Sequence, residues 1–337
     1  MTGSAHSPPL TLVLTRREVA ALMSPRDYLD AVDAGFTALG EGRAHSPAPL
    51  HLKVKRGGFH AKAAAQNAER SFVALKFNAN MPGNPARLGL PTIQGAILLC
   101  DADDGRLLAV MDSIEVTLRR TAAATALAAR YLARPDSSVL AVCGCGAQAA
   151  PQIEALLLIL PLRRILLWDL DPDKSRRLSE HLSRSPSCEI EIAPSFASAT
   201  RRSDAIVTCT SSPVAFLTSA DLKPGSFVAA IGADSPGKSE IAPALMAASK
   251  VVVDSLEQCA EMGDLHHALA AGAMRLDQVH AELGELVRGV KTGRSDTHET
   301  CIFDSTGVAV QDVASAVRVF ERASALGIGT PVDFGGA

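Results

Sequence analysis

The stretch that decides the fold is Val139-Leu-Ala-Val-Cys-Gly144-Cys-Gly146-Ala-Gln-Ala149, where an apolar run leads directly into a glycine-rich turn. Such a run predicts a buried β-strand, and the residues that follow have a helical pattern. Gly144 permits a tight turn, Gly146 lets a phosphate approach the backbone, and Ala149 lets the helix pack closely on the strand. The stretch therefore predicts a strand–turn–helix unit that binds the pyrophosphate of a dinucleotide.

A second apolar run, Ile165–Trp168, ends in an acid, Asp169. An acidic side chain here can bond the adenosine ribose hydroxyls, although it lies slightly beyond the usual spacing of about 20 residues. A glycine-rich turn without a cofactor is the alternative interpretation, but strand, glycines, helix, strand and acid occur in the expected order. The charge of Asp169 would repel a 2′-phosphate and favours NADH. Basic residues follow closely and leave NADPH open: Lys174, Arg176 and Arg177.

Composition narrows the classes of function. The 337 residues suffice for one large domain or two ordinary ones, and 47% are hydrophobic. The net charge is −3 and no basic block occurs, so we expect no nucleic-acid partner. No apolar run reaches the roughly 18 residues that span a bilayer, and Met1–His6 lacks a signal-peptide pattern, so no membrane association is expected. Seven irregularly spaced cysteines predict reduced thiols in the cytoplasm and no metal site.

The organisation of the chain changes near residue 120. Before this point a capped helix starts at Ser24, and β-type runs predict an antiparallel sheet: Leu50–Val54, Gly58–Ala64, Phe72–Asn78, Thr92–Asp101 and Leu107–Met111. A long alanine-rich helix follows, to about Leu132. Strands and helices then alternate, with strands predicted at Val139–Cys143, Ile165–Trp168, Glu189–Ala193, Ala205–Thr210, Phe227–Ile231 and Val251–Asp254. A final helix is predicted from Gln311 to Leu326.

This alternation predicts an α/β protein with a doubly wound parallel sheet of the Rossmann type, joined to a second domain of the α+β class. We place the dinucleotide-binding domain at residues 121–309. The α+β domain is expected at residues 1–120 together with 310–337, because the C-terminal helix is expected to return to it.

Three segments carry side chains suited to chemistry. Lys76 lies in an apolar strand, where it either reaches solvent at an edge or sits in a pocket that lowers its pKa. Arg119 and Arg120 are adjacent in a helix and diverge by about 100°, so one is expected in solvent while the other meets a carboxylate. Asp234 follows a candidate strand of the parallel sheet, where it serves either acid/base chemistry or an ordinary turn.

Three motifs, taken together, resemble the ornithine cyclodeaminase/mu-crystallin family over residues 12–328: Thr117-x-x-Arg120-Thr121-Ala-Ala, Gly144-Cys145-Gly146-Ala147-Gln148 and Gly232-Ala-Asp234-x-Pro-Gly-Lys238-x-Glu240. The resemblance implies a homodimer whose first domain provides the substrate pocket and a sheet-based interface. It implies that Lys76 and Arg120 hold a substrate carboxylate and that Asp234 is the catalytic acid/base, with Lys76 also counted as catalytic. The cofactor-binding residues expected are Thr121, Gly144, Cys145, Gly146, Ala147, Gln148, Asp169 and Asp304, the last within a further matching segment, Phe303–Gly307.

The chain departs from the family pattern near its predicted pocket. Where cyclodeaminases of the family carry a glutamate that grips the terminal amine of the substrate, this chain has Phe59–Ala64 without it. A second arginine that binds the carboxylate in the family is replaced by His51. His60 or Lys62 is expected to substitute for it, and a solvated strand edge is the alternative for both.

These features favour NAD(P)H-dependent reduction of the C=N bond of cyclic imino acids. The expected reactions convert Δ1-pyrroline-2-carboxylate to L-proline and Δ1-piperideine-2-carboxylate to L-pipecolate. Alternatives are an ornithine cyclodeaminase, a dehydrogenase of linear amino acids, and a non-catalytic NADPH- and ligand-binding protein similar to mu-crystallin. The missing glutamate argues against the first alternative.

Overall fold

The structure is a computed structural model that describes residues 10–184 and 188–334. The expectation for Met1–His6 concerns residues outside this range. The chain divides into two compact units: the first runs to Arg120 and resumes at Ala309, and the second spans Thr121–Val308.

The strands, in chain order, are β1 (Thr11–Leu14), β2 (Ala44–His45), β3 (Leu50–Val54), β4 (Gly57–Gln66), β5 (Phe72–Asn80), β6 (Ile93–Asp101), β7 (Leu107–Asp112), β8 (Val139–Cys143), β9 (Arg164–Trp168), β10 (Glu189–Ile192), β11 (Ala205–Thr208), β12 (Phe227–Ala230), β13 (Lys250–Val253), β14 (Ala281–Glu282), β15 (Cys301–Asp304) and β16 (Thr330–Val332). The α-helices are α1 (Arg16–Leu22), α2 (Pro25–Gly40), α3 (Asn84–Leu88), α4 (Ser113–Leu132), α5 (Ala149–Leu156), α6 (Pro172–Leu182), α7 (Phe196–Thr200), α8 (Pro243–Ala247), α9 (Leu256–Met262), α10 (Asp264–Ala270), α11 (Leu283–Val287) and α12 (Ala309–Leu326).

The first unit is built on a sheet of order β16-β1-β7-β6-β5-β4-β2, with β3 paired to β4. β3 to β7 form the predicted antiparallel ladder, but β1 pairs parallel to β7, so the sheet is mixed and that prediction was incomplete. The pairing of β1 depends on a partner far along the chain, which local periodicity does not reveal. One face of this sheet is covered by α12, and α12 packs in turn on α2.

Helix α2 shows why these residues form a helix and where it packs. Ser24 and Asp27 form a reciprocal capping box, and Pro25 occupies the first helical position. The helix buries an apolar stripe at helical spacing: Tyr28, Leu29, Val32 and Phe36. A Cβ placed on Gly35 would lie 3.1 Å from the Cβ of Ala314, so glycine allows α2 and α12 to approach closely.

The other face of the first sheet is apolar and open to solvent. Val73, Leu75 and Phe77 alternate along β5 with buried residues, and Phe77 is 44% exposed. The ring of Phe59 stacks on that of Phe77 at a centroid distance of 5.3 Å. We call this surface the apolar sheet face and define it as Leu50, Leu52, Phe59, Val73, Leu75, Phe77 and Leu98.

The second unit contains an all-parallel sheet of order β10-β9-β8-β11-β12-β15-β13-β14. From β8 the chain adds strands first on one side and then on the other, and ligands bind at the carboxyl ends of strands at such a reversal. The predicted Rossmann class is confirmed, although β14 and β15 were missed because each apolar run is very short. Within residues 10–184 and 188–334, no helix has both the length and the apolar character needed to cross a membrane.

Candidate active site

A buried ion cluster lies on the α12-covered face of the first unit. Lys76 of β5 and Arg120 of α4 are each 5% exposed. The Nζ of Lys76 lies 2.6 Å from Oδ2 of Asp312, and the Nε of Arg120 donates to Oδ1 of the same carboxylate at 3.0 Å. The Nη1 of Arg120 also donates to Oε1 of Gln311 at 2.7 Å. Lys76 thus lies in the buried environment that was one of its two predicted alternatives.

The charges in this cluster shift one another's pKa values. Burial lowers the pKa of Lys76 to about 7, and the Arg120 guanidinium acts in the same direction, while Asp312 opposes both. Burial alone would raise the pKa of Asp312, but the Lys76 and Arg120 charges outweigh it and hold that pKa below its ordinary value. Two cations share one carboxylate, so the trio carries a net positive charge whenever Lys76 is protonated.

Arg119 and Arg120 diverge as the helical geometry requires. The Nε of Arg119 donates to Oε1 of Glu115 at 2.8 Å, one turn earlier on α4, and Arg119 is partly exposed. The start of this helix is fixed by Asp112, whose Oδ1 accepts from the backbone N–H of Ile114 and of Glu115. Asp112 thereby satisfies two backbone donors at the start of α4 and stabilises the helix that carries Arg120.

The other predicted substrate-binding residues lie on the same sheet face as Lys76. Lys62 is the cross-strand partner of Lys76, and its charge acts on both Lys76 and Asp312. His60 pairs in register with His51, and their Nδ1 atoms are 2.6 Å apart, so one ring donates and the other accepts. Lys62 and His60 are partly exposed and His51 is exposed.

The predicted glycine turn follows β8 at the carboxyl edge of the second sheet. Gly144 has a φ of +102°, and a Cβ there would lie 2.7 Å from the carbonyl oxygen of Cys209 after the neighbouring strand β11. A Cβ on Gly146 would meet nothing within 4 Å, so the backbone has open space in front of it. Gly146 and Ala147 are exposed, and α5 begins immediately after Gln148.

The geometry of this turn fits a dinucleotide. The Oε1 of Gln148 is buried and has no hydrogen-bond partner within the described part of the chain. Backbone N–H groups at the start of a helix are suited to a phosphate, and the open, glycine-lined turn leaves room for one to approach. The glycine turn and the start of α5 are the parts of this unit that would hold the pyrophosphate.

Asp169 is tied to the glycine turn. Its Oδ2 accepts from the backbone N–H of Cys145 at 2.7 Å, and its Oδ1 accepts from Asp171 N at 2.9 Å. The Nζ of Lys174 lies 4.0 Å from Oδ1. Burial raises the pKa of the Cys145 thiol, which therefore stays protonated. The carboxylate both orients the turn and brings a negative charge to the end of β9.

Asp234 lies in the loop after β12, which neighbours β11 in the sheet. Its side chain is 50% exposed, and Oδ1 lies 2.6 Å from Nζ of Lys238. The backbone N–H of Asp234 donates to the carbonyl of Gly232, which closes a tight turn. The acid/base role expected of Asp234 stays a prediction.

Two predicted cofactor residues, Asp304 and Thr121, are buried. Asp304 is fully buried; the N–H groups of Asp264 and Leu265 at the start of α10 donate to its carboxylate. Burial and the Asp264 charge raise the pKa of Asp304 well above its ordinary value. Thr121 is 7% exposed in α4, and its carbonyl accepts from the hydroxyl of Thr125. Direct cofactor contacts by Asp304 and Thr121 stay predictions.

The adjacent histidines His266 and His267 have backbone partners. The Nδ1 of His266 lies 3.1 Å from the carbonyl of Ala260, and the Nε2 of His267 lies 2.8 Å from the carbonyl of Lys238. Among the residues that the structure describes, no group of three or more His, Cys, Asp or Glu side chains has a metal-binding arrangement. All seven cysteines lie in this part of the chain and are free thiols.

Sequence reasoning missed the polar side chains that hold these sites together. Asp312 and Gln311 lie in the first turn of α12, where their pattern is that of an ordinary helix. Glu240 was noted only as part of a motif, yet it is fully buried and joins two loops. Burial, reinforced by the Asp264 charge, raises its pKa to about 7. The only signal in the sequence for such buried acids was a charged residue within an otherwise apolar or capped segment.

The chain is similar to known proteins over nearly its whole length. The profile of the ornithine cyclodeaminase/mu-crystallin family matches residues 10–327. An iminosuccinate reductase of Paracoccus denitrificans is 33% identical, over 96% of this chain and 99% of its own. An archaeal alanine dehydrogenase dimer with bound NAD has 35% identity and a TM-score of 0.92, over 96% of this chain and 99% of that one. The Δ1-pyrroline-2-carboxylate reductase of Thermococcus litoralis, solved with NADH and L-proline, has 29% identity and a TM-score of 0.92, over 96% and 100% of the two chains.

The match runs through both units, and the relatives are nicotinamide-dependent enzymes that act on C=N or CH–NH bonds. The glycine turn of the second unit fits the pyrophosphate of a nicotinamide dinucleotide. This chain is an NAD(P)-dependent oxidoreductase of the same kind, and it belongs to the ornithine cyclodeaminase/mu-crystallin family.

Proposed function

We propose that the protein reduces the C=N bond of cyclic 2-imino acids, converting Δ1-pyrroline-2-carboxylate to L-proline and Δ1-piperideine-2-carboxylate to L-pipecolate. The observation that carries this proposal is the buried trio of Lys76, Arg120 and Asp312. Its unbalanced positive charge suits the carboxylate of an imino acid, and guanidinium geometry suits a planar anion. The resemblance in sequence to pyrroline-2-carboxylate reductases supports the choice of substrate.

The reaction needs a proton at nitrogen and a hydride at the adjacent carbon. When bound, the reduced nicotinamide supplies the hydride. Asp234 delivers a proton to the imine nitrogen, either directly or through a water molecule that it orients, and its carboxylate stabilises the positive charge on a protonated imine. Lys238, 2.6 Å from Asp234, keeps that carboxylate in place. Lys76 and Arg120 fix the substrate by its carboxylate, so that the reacting carbon has one orientation.

The charge of Asp169 favours NADH over NADPH. A 2′-phosphate placed at the end of β9 would meet this carboxylate, whose two oxygens are already held by backbone N–H groups. The basic side chain nearest to it is Lys174, at 4.0 Å. Arg176 is bonded to Asp173 instead. NADH is therefore expected to give a higher kcat/KM than NADPH.

The test is oxidation of NADH and, separately, of NADPH at 340 nm with each cyclic imine. Rapid oxidation that yields proline or pipecolate supports the proposal. Ammonia release from ornithine without net NADH consumption would instead identify a cyclodeaminase. Cofactor binding without turnover of any imine would identify a binding protein.

A second candidate is the reduction of an imine that carries two carboxylates. Lys62 adds a third cation on the sheet face of Lys76, and a second carboxylate of the substrate would balance it. The 33% identity to an iminosuccinate reductase points to the same substrate class. The reactant would be the imine formed from oxaloacetate and ammonia.

Lys62→Met separates these two candidates. If a second carboxylate binds Lys62, the variant should raise KM for the dicarboxylate imine at least about tenfold, because a charge-assisted bond contributes about 1.5–3 kcal/mol. KM for Δ1-pyrroline-2-carboxylate should change much less. Lys53→Met is the matched control, because Lys53 is exposed on β3. Equal effects of Lys62→Met on both substrates would show that Lys62 binds the carboxylate that both share, in place of the missing arginine, and would remove this argument for a dicarboxylate.

We also propose that the protein is a homodimer that buries the apolar sheet face. A contiguous apolar surface of this kind is uncommon on a monomer, and the archaeal alanine dehydrogenase is a dimer. Light scattering should give about twice the chain mass of 35.2 kDa. Phe77→Glu should yield monomers, because it places a charge in the interface. Leu326→Glu, at an exposed apolar site elsewhere in the first unit, should leave the dimer intact. A monomeric wild type would contradict this proposal.

The free thiols fit a reducing compartment, and we therefore propose a cytoplasmic location.

A further inference from the structure

Glu240 connects two loops at the carboxyl edge of the second sheet. Its Oε1 accepts from the backbone N–H and the hydroxyl of Thr210, at 2.6 and 2.7 Å. Its Oε2 accepts from the backbone N–H of Gly232 at 2.8 Å. Thr210 follows β11 and Gly232 follows β12, so a single carboxylate bonds the ends of two neighbouring strands.

The two loops are in direct contact at this point. A Cβ on Gly232 would lie 2.3 Å from the carbonyl oxygen of Thr210 and 2.5 Å from Oε1 of Glu240. The Thr210 hydroxyl also accepts from the N–H of Ser212, and Ser239 N donates to the Ser212 carbonyl. Little room remains for the β12 loop to move without breaking these bonds.

The backbone that carries Glu240 is anchored from behind. The Oδ1 of Asp264 accepts from the N–H of Glu240 at 2.8 Å and from that of Ile241 at 3.0 Å. Asp264 is in turn held at the start of α10 by Asp304, to whose carboxylate it donates its N–H. Buried carboxylates thus link the start of α10 to the Glu240 backbone, and the Glu240 side chain to the two loops.

Asp234 lies two residues beyond Gly232, and its N–H donates to the Gly232 carbonyl at 3.1 Å. A shift of Gly232 would therefore be passed directly to Asp234. We propose that Glu240 is a positioning residue that holds the loops after β11 and β12 in register and thereby places the Asp234 carboxylate for proton delivery. This inference rests on the proposed function, in which Asp234 serves the imine nitrogen.

Glu240→Gln tests the inference with little change in size. The amide nitrogen of glutamine would face an N–H donor of Thr210 or Gly232, so at least one of the three bonds is lost. We expect kcat to fall by about 10- to 100-fold, since a displacement on the order of 1 Å can cost that much. KM for the imine and Kd for NADH should stay within about threefold of wild type, because neither ligand is bound by Glu240.

Two controls separate positioning from general stability. Asp221→Asn removes another buried carboxylate of the second unit, which accepts from the N–H of Thr218 and pairs with Arg201. It should lower the unfolding temperature but leave kcat unchanged. Thr210→Val removes one donor to Glu240 and should lower kcat severalfold, whereas Thr210→Ser keeps the hydroxyl and should retain the wild-type kcat.

Wild-type kcat in both Glu240→Gln and Thr210→Val would overturn the inference, as would an equal loss of kcat in Asp221→Asn. Amide hydrogen exchange at Gly232 and Asp234 gives a readout independent of turnover: protection should fall in Glu240→Gln and persist in Thr210→Ser. If the wild type reduces no imine, the proposed function fails, and unchanged exchange in Glu240→Gln would separately overturn the positioning role.

Discussion

Replacing Asp234 by asparagine should lower kcat for imine reduction by about 10²- to 10⁴-fold, the range expected when a positioned acid/base group is lost. Asparagine keeps the size of the side chain but can neither carry the proton nor offset the charge of a protonated imine. KM for the imine should change little, because its carboxylate is assigned to Lys76 and Arg120. Steady-state rates at 340 nm and tryptophan-quenching measurements of NADH binding together test this.

The control for Asp234 is Asp277→Asn, which removes an exposed carboxylate of the same unit that pairs with Arg275. It should leave both kcat and KM unchanged. If Asp234→Asn retained the wild-type kcat, Asp234 would have no part in proton delivery, and a bound water alone would have to serve.

Replacing Asp312 by asparagine should have the largest effect on both stability and substrate binding. Lys76 and Arg120 would remain buried without their shared counter-charge, which typically costs about 3–5 kcal/mol of unfolding free energy. Burial and the Arg120 charge would then act on Lys76 unopposed, and its pKa should fall further below about 7. A neutral Lys76 holds a carboxylate less well, so KM for the imine should rise strongly.

The stability effect has a defined dependence on pH. In the folded protein the pKa of Lys76 is about 7, against an ordinary value of 10.5. The folded state therefore binds fewer protons than the unfolded state between these values. Burial of the protonated Lys76 lowers the free energy of unfolding by its full amount below pH 7, and by less as the pH rises toward 10.5. In Asp312→Asn this decline should begin at a lower pH, which denaturant unfolding at a series of pH values measures.

The control for Asp312 is Asp101→Asn in the same unit. Asp101 is also buried, but it pairs with the more exposed Arg70 and Arg106, so its partners can return to solvent. We expect a much smaller loss of stability and an unchanged KM. Equal destabilisation by the two substitutions would show that Asp312 has no special role in balancing buried charge.

The second unit was the more predictable part of the fold. The glycine turn, the alternating strands and the terminal acid are local patterns, and each can be recognised from residues that are close together in the chain. β15 was missed because Cys301–Asp304 offers only three apolar residues before an acid. In the first unit, the parallel pairing of β1 with β7 depends on contact between distant segments, which periodicity alone does not specify.

The candidate site was predictable where a residue is unusual in its own segment. Lys76 in an apolar strand and Arg120 before small residues attract attention, and the resemblance assigned their roles. Asp312 looks like any acid in a first helical turn, and only the packing of α12 on the sheet brings it to Lys76. The contacts of Asp304 with the start of α10 could not be predicted from the sequence, because they join segments about 40 residues apart, and its role beside the cofactor stays a prediction.

The central claim is that hydride passes from the cofactor to C2, the carbon of the C=N bond. The most direct test is turnover of Δ1-pyrroline-2-carboxylate with NADH that carries deuterium at both C4 positions, followed by mass spectrometry and NMR of the product. We predict L-proline with a single deuterium at C2 for each cofactor oxidised. Unlabelled proline, or cofactor oxidation without proline, would contradict the account.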